Sequence, residues 1–308
     1  MKNKQKKKAR PVKAAAETTY TISESSDLLP FLLKSLNKLS RNAVKSILTR
    51  GQVRVNNQTV TKHNYILHPG DTVMIQDNKT AMKTTALTGI TIIHEDDDII
   101  VIEKAAGILS VATQKKDGES TAYAQLTAYV RQDHPRNRIF IVHRLDRDTS
   151  GIMVFAKNEQ TKERLQQQWK HLVIERMYTA VVEGNVGKPA GTITSWLTES
   201  KTFKIHSCPF DNGGKKAVTH YKKIQGNHAY SLLQVHLETG RKNQIRVHMQ
   251  DIGHPIAGDK KYGAHTNPLK RLGLHATTLV LLHPSTNKRM AFSAAVPKKF
   301  SAISKSIV

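Results

Sequence analysis

Two carboxylates, two guanidinium groups and an imidazole fall within six consecutive residues, His143-Arg144-Leu145-Asp146-Arg147-Asp148. Side chains of these types could move a proton, attack an electron-poor carbon, or shield positive charge developing on a sugar. Read alone, Asp146 and Asp148 could be the acid and base that hydrolyse a glycosidic bond. Two residues apart in a loop, their separation is not set by the sequence. The segment lies between two apolar runs, Ile139-Phe140-Ile141-Val142 and Ile152-Met153-Val154-Phe155-Ala156. Short runs rich in β-branched residues read as buried strands. The reactive groups therefore sit on a short connection between rigid elements, where catalytic residues are commonly placed.

Composition indicates what those groups would meet. Forty-eight Lys and Arg against 24 Asp and Glu leave a formal charge of +24 over 308 residues, which points to a polyanionic partner and to nucleic acid above all. A membrane surface fits less well. The sequence shows no strongly amphipathic basic helix with exposed aromatics, and no apolar run approaches a membrane span. Cys208 is the single cysteine, so no internal disulfide can form, which fits a reducing cytoplasm. The charged N-terminus is not followed by an apolar stretch and does not read as a signal peptide. Fifteen histidines occur without Cys-x-x-Cys, His-Glu-x-x-His or clustered ligand spacing, so no metal is expected. No Walker-type or dinucleotide-binding glycine pattern appears, so no nucleotide or redox cofactor is expected either. A thiol nucleophile at Cys208 has no supporting pattern.

Four ordered segments carry a resemblance. His143-Arg144-Leu145-Asp146-Arg147-Asp148-Thr149-Ser150-Gly151 resembles the active-site motif of the RluA family of RNA pseudouridine synthases. Arg176-Met177-Tyr178 is similar to the segment whose tyrosine lies against the target base. Thr239-Gly240-Arg241-Lys242-Asn243-Gln244-Ile245-Arg246-Val247-His248 resembles the family's TGR-x-x-Q-[IL]-R-V-H segment. Gly253-His254-Pro255-Ile256-Ala257-Gly258-Asp259 with Tyr262-Gly263 resembles its GHPI-x-GD…YG segment. The likeness runs from about Ile93 to Pro297. One departure is visible: Lys104-Ala105-Ala106-Gly107 stands where the family has K-P-x-G, a change expected to loosen a turn and leave the chemistry untouched.

The resemblance implies an α+β fold, with a largely antiparallel mixed sheet crossed by the active cleft. It implies that Asp146 is the catalytic residue, that Arg246 pairs with it, and that Tyr178 stacks on uracil and offers a hydroxyl for the C5 proton. A catalytic aspartate must be ionised, and a fixed guanidinium beside it favours that form. Arg246 sits in an alternating stretch, Ile245-Arg246-Val247, that reads as extended. Arg144 and Arg147 are expected to contact RNA phosphates or splay the target nucleotide, which must leave its stack. Arg241 and Lys242 are expected nearer the rim as phosphate ligands. Asp148, Thr149 and Ser150 are expected to hold the loop by local hydrogen bonds, and His143 to order it.

Upstream, residues 1–20 read as a basic disordered tail. Residues 21–76 form a compact basic module. Leu28, Leu32, Leu36 and Leu39 make a helical stripe. Ser40 is a plausible N-cap for a second helix ending at Gly51, with Val44, Ile47 and Leu48 inward and Lys38, Arg41 and Lys45 on another face. Val53 to Val60, including Arg54, reads as a hairpin around Asn56-Asn57, and Pro69-Gly70-Asp71 turns into a last strand. This pattern resembles the S4 RNA-binding domain. Arg41, Lys45 and Arg54 would face structured RNA, read mainly by shape. Residues 77–90 read as a linker and 91–308 as the catalytic domain, with helices at Ala122–Arg131 and Glu163–His171. The expected molecule is a cytoplasmic monomer acting on ribosomal or transfer RNA. Two other readings stand beside it: a non-catalytic RNA-binding protein using module and tail, and a nucleosidase built on Asp146 and Asp148.

Overall fold

A computed structural model describes residues 17–37, 39, 41–49, 52–76, 87–112 and 121–305. They divide into two compact units, one over Met1–Ala86 with Ala128–Arg136 and one over Leu87–Thr127 and Asn137–Val308.

The first unit runs β1 (Glu17–Thr21), β2 (Ser26–Asp27), α1 (Leu28–Ser35), α2 (Arg41–Thr49), β3 (Val53–Val55), β4 (Gln58–Thr59), β5 (Ile66–Leu67) and β6 (Thr72–Gln76). Its four-stranded sheet has the order β1-β6-β3-β4, with β2 and β5 paired separately. Leu28, Leu32, Val44, Leu48, Val53, Val55, Leu67 and Val73 bury together as its core. Asn56 and Asn57 both adopt positive φ, 49° and 67°, which a tight β-hairpin requires and asparagine tolerates. The Asn56 amide donates to Asp71 (2.7 Å) and its carbonyl accepts from Thr72 N–H (2.9 Å), locking the hairpin to the next turn. Two expectations change. Glu17–Tyr20 belong to β1 rather than to a tail, because the Thr/Tyr-rich run pairs with β6 and packs Tyr20 edge-on against Phe31. The leucine stripe stops at Ser35, and Leu39, beyond the helix, is exposed. Lys38, Ser40, Gly51, residues 1–16 and residues 77–86 lie outside the described residues.

From Leu87 onward come β7 (Ile90–Glu95), β8 (Ile99–Lys104), α3 (Ala122–Val130), β9 (Phe140–Ile141), β10 (Ser150–Ala156), α4 (Glu159–Gln167), α5 (Trp169–Leu172), β11 (Val173–Glu183), β12 (Ala190–Glu199) and β13 (Ile205–Cys208). The chain continues through β14 (Lys215–Gly226), β15 (Tyr230–Leu237), α6 (Gln244–Asp251), β16 (Leu274–Leu282), β17 (Arg289–Ser293) and α7 (Lys298–Ile303). One 11-stranded sheet follows the path β13-β12-β14-β15-β11-β16-β10-β8-β7, with β17 on β16 and β9 on β10. Its ladders are antiparallel except β10 with β16, so the fold is α+β with a mixed, largely antiparallel sheet. All seven residues of β10 are buried, as expected of a central strand without alternation. The helix expected from Glu163 instead starts at Glu159, because the Asn158 side chain caps Thr161 N–H (2.8 Å), and it breaks at Gln168 before α5. β7 begins at Ile90, inside the segment expected as linker.

Candidate active site

Asp146 lies on the β9–β10 connection, and both of its chain neighbours are tied down. Leu145 is buried, and its N–H and C=O both bond the Ser110 hydroxyl (3.2 and 2.7 Å). The Arg147 carbonyl accepts from Gly107 N–H (2.9 Å) and from the Lys104 ammonium (3.0 Å). At the start of the loop, the His143 Nε2 accepts from Val154 N–H (3.0 Å) while its ring lies 5.0 Å from that of Trp169. Burial holds His143 far below the ordinary histidine range, at about 3, with Arg176 adding to the effect. A neutral imidazole is what that acceptor role needs. A loop fixed on both sides presents its carboxylate without a search.

Lys104 was not singled out by sequence. It is fully buried, and its ammonium donates to the carbonyls of Ala105, Ile108 and Arg147 (3.1, 2.8 and 3.0 Å). Burial pulls its pKa to about 8, opposed by the charges of Asp148 and Asp146. The departure from K-P-x-G therefore lies directly against the loop that carries Asp146, not away from it. The Ala105 N–H, which proline would lack, donates to Gly89 O (2.8 Å) and holds this turn in place of a rigid ring.

Arg246 is on helix α6, not on a strand. Its polar neighbours defeat the alternation because they are buried. The Gln244 amide donates to Val218 O and Thr219 Oγ1 (both 2.9 Å) and accepts from the Thr239 hydroxyl (2.8 Å) and the Arg241 N–H (3.0 Å). The two ring nitrogens of His248 meet Ser195 (2.9 Å) and Thr219 (2.8 Å). These bonds dock α6 on the sheet and swing Arg246 toward the loop. Its guanidinium grips Asp259 with two short bonds (2.6 and 2.7 Å), meets Asn243 at 3.1 Å, stacks 4.9 Å over the Tyr262 ring, and reaches Asp146 at 3.4 Å. Burial works against its charge, but Asp259 and then Asp146 more than offset that and raise its pKa. Asn243, Asp259 and Tyr262 all lay in quoted motifs without an assigned role. A buried arginine demands a carboxylate, and that demand was the available signal.

One cleft of about 250 Å³ gathers Arg144, Asp146, Tyr178, Arg241, Lys242 and Arg246, with Leu145, Leu237, Ile245 and Leu274 as apolar wall. Tyr178 stands on β11 between Val235 and Ala276. Burial raises its phenol pKa, with Arg176 pulling it down and Asp146 pushing it up. Arg176 beneath it donates to the carbonyls of Leu237 and Glu238 (both 3.1 Å). A Cβ on Gly240 would lie 2.4 Å from the tip of the Arg176 guanidinium, so a side chain there would push that group aside. Arg147 is exposed and is not among the residues lining this cleft. Ser150 holds the loop from afar rather than locally, meeting His275 (2.7 Å) and Arg271 (2.6 Å). Arg41 is exposed, and Lys45 and Arg54 are half-buried; all three belong to the first unit.

The arrangement is an ionisable carboxylate beside a fixed cation, with a flat aromatic wall and a basic rim. Comparison with known proteins agrees. The model of the RNA pseudouridylate synthase family matches residues 98–251, and that of the S4 domain matches residues 29–73. The chain is 34% identical to the uncharacterised RNA pseudouridine synthase YhcT of Bacillus subtilis, over 86% of this chain and 88% of that one. It is equally identical, at 34%, to the ribosomal large subunit pseudouridine synthase D of Yersinia pestis, over 84% of each. The solved structure of human RNA pseudouridylate synthase domain containing 4 shares the fold, with a TM-score of 0.56, 23% identity and coverage of 68% of this chain and 90% of that one. Among the described residues no helix is long and apolar enough to cross a membrane. The chain belongs to the RluA-type RNA pseudouridine synthases, isomerases that convert uridine to pseudouridine, and carries an S4 domain at its N-terminal end.

Proposed function

We propose that this enzyme isomerises specific uridines of structured RNA, with ribosomal RNA as its substrate, and that Asp146 is the reacting carboxylate. The observation that carries the reading is the placement of Asp146 at 3.4 Å from Arg246 in the cleft that Tyr178 walls. In the reaction the N1–C1′ bond of uridine breaks, the base turns within the site, and C5 joins C1′, giving up its proton while N1 takes one. Nothing else is consumed. The Asp146 carboxylate serves by attacking C1′ or by taking the C2′ proton, and either route needs it charged.

Arg246 places a cation beside this carboxylate, while its two short bonds go to Asp259. Asp146 is thus attracted but not clamped, and stays free to meet the sugar. Tyr178 offers its face to the uracil ring, and its raised pKa keeps the phenol protonated, so it relays a proton through the hydroxyl. Arg144 fills the place of the extruded nucleotide, and Arg147, Arg241 and Lys242 bind phosphates around the mouth. In this reading the unit before Leu87 adds RNA affinity, through Arg41, Lys45 and Arg54, and the unit from Leu87 onward catalyses. A module of this kind favours large folded RNA. The Yersinia pestis relative, named for the large ribosomal subunit, points the same way.

The test is pseudouridine mapping of total RNA from cells with and without the gene. Sites in ribosomal RNA should vanish on deletion, return with the wild type, and stay absent with Asp146→Asn. Loss confined to transfer RNA would reassign the substrate. Free uracil released by the purified protein would replace isomerisation by hydrolysis.

A further inference from the structure

The turn between β12 and β13 displays an aromatic ring where the backbone calls for glycine. Phe203 has φ 58°, a region that side chains with a Cβ rarely adopt, and it is 68% exposed. The turn is nonetheless well defined. Ser200 closes it with backbone bonds to Phe203 and Lys204 (both 2.9 Å), and its hydroxyl meets Thr202 (2.9 Å) and Lys204 N–H (3.2 Å). Lysines surround the ring. The Lys242 ammonium lies 5.4 Å from its centroid, Lys261 donates to its carbonyl (2.9 Å), and Lys201 is exposed beside it. At the other end of β13 stands a second exposed ring, Phe210, 67% accessible.

The charge around these rings is one-sided. Residues 196–222 hold five lysines against Glu199 and Asp211, and the Glu199 carboxylate is already paired with Lys242. A groove of about 400 Å³ lined by Leu197, Glu199, Ile205, Lys215 and Lys242 runs here; it shares Gly240-Arg241-Lys242 with the Asp146 cleft, and Lys242, which pairs with Glu199, connects it to the Phe203 ring. A positive track that leads from the reactive carboxylate to an exposed, strained aromatic fits single-stranded nucleic acid, whose phosphates follow the lysines while a base stacks on the ring. A duplex offers no base face to such a ring.

We propose that Phe203 is a stacking platform for an unpaired nucleotide flanking the target uridine, with Lys242, Lys261 and Lys201 holding the phosphates around it. The assignment rests on the reading of this chain as an enzyme acting on RNA, and it adds a specificity element outside the reaction cleft. It implies that the substrate uridine lies in or beside a single-stranded stretch.

The experiment uses the full chain and a short fluorescein-labelled oligouridylate, with the same probe annealed into a duplex as control. Phe203→Gly relieves the backbone strain, so its Tm should rise above wild type while its affinity for the single strand falls about tenfold, the size of one lost base stack. Phe203→Leu should lose affinity to a similar degree. Phe203→Trp should keep it, and its added emission should be quenched on binding. Equal single-strand affinities for wild type and Phe203→Gly would overturn the proposal. So would a change in sedimentation without a change in RNA affinity, which would assign the turn to contact between copies of the chain. Pseudouridine formation by the wild type is scored separately, so loss of isomerisation and loss of stacking are distinct results.

Discussion

Arg246 gives its two short hydrogen bonds to Asp259, which is buried, and keeps only a 3.4 Å contact for Asp146. Asp259 anchors the guanidinium, so its position does not depend on the state of Asp146. That division predicts two kinds of defect. Asp259→Ala would leave the guanidinium with only Asn243 and the 3.4 Å contact to Asp146, and should cost about 3 kcal/mol of stability. Arg246→Lys would keep the charge but lose the fork, and turnover should fall by about 100-fold while RNA affinity holds. Denaturant midpoints and single-turnover release of the C5 proton separate the two.

Lys104 predicts an alkaline signature. Its pKa near 8 in the folded chain lies below that of an exposed lysine, mainly through burial. Between pH 8 and 10.5 the unfolded chain holds the extra proton, so this residue makes stability rise with pH across that window. Lys104→Met should remove that rise, about 1–3 kcal/mol, when urea midpoints at pH 8 and pH 10 are compared. It should also slow isomerisation, because the Arg147 carbonyl loses its anchor.

Three histidines with lowered pKa values predict acid lability. Burial holds His143 near 3 and both His248 and His275 near 4, with nearby arginine charge adding at His143 and His275. Unfolded histidine takes up a proton below about 6.5 while these do not, so stability should fall as pH drops from 6.5 toward 4. His248→Gln should flatten part of that fall in a series of thermal melts, even though its own stability at pH 7 is lower.

Glycine substitutions should separate scaffold from site. A Cβ on Gly151, where φ is 116°, would lie 2.1 Å from the Ala276 carbonyl oxygen across the parallel β10–β16 pair. Gly151→Ala should therefore fail to fold, read as insoluble expression. Gly240→Ala should fold, because the atom it meets is the tip of the Arg176 side chain, but it should displace Arg176 from under Tyr178 and slow turnover.

Several of these groups were hidden in the sequence for physical reasons. The loop that carries Asp146 was legible because an apolar run on each side marks the strands around it, while the choice of Asp146 over Asp148 came from the resemblance. Arg246 was legible as a residue but not as part of a helix. Gln244 and His248 look like exposed positions of an alternating strand, yet four hydrogen bonds bury Gln244 and two bury His248. Lys104 gave no signal because lysine is rarely fully buried. Its three carbonyl partners come together only when β8 and the catalytic loop meet. Ser150 read as a local bond former, but its partners are 121 and 125 residues away.

The most direct test of the account is single-turnover conversion of transcribed RNA by the wild type and by Asp146→Asn at matched protein stability and matched RNA affinity. The account predicts new pseudouridine with the wild type, none with Asp146→Asn, and no free uracil with either. Conversion by Asp146→Asn at a rate near wild type would contradict it.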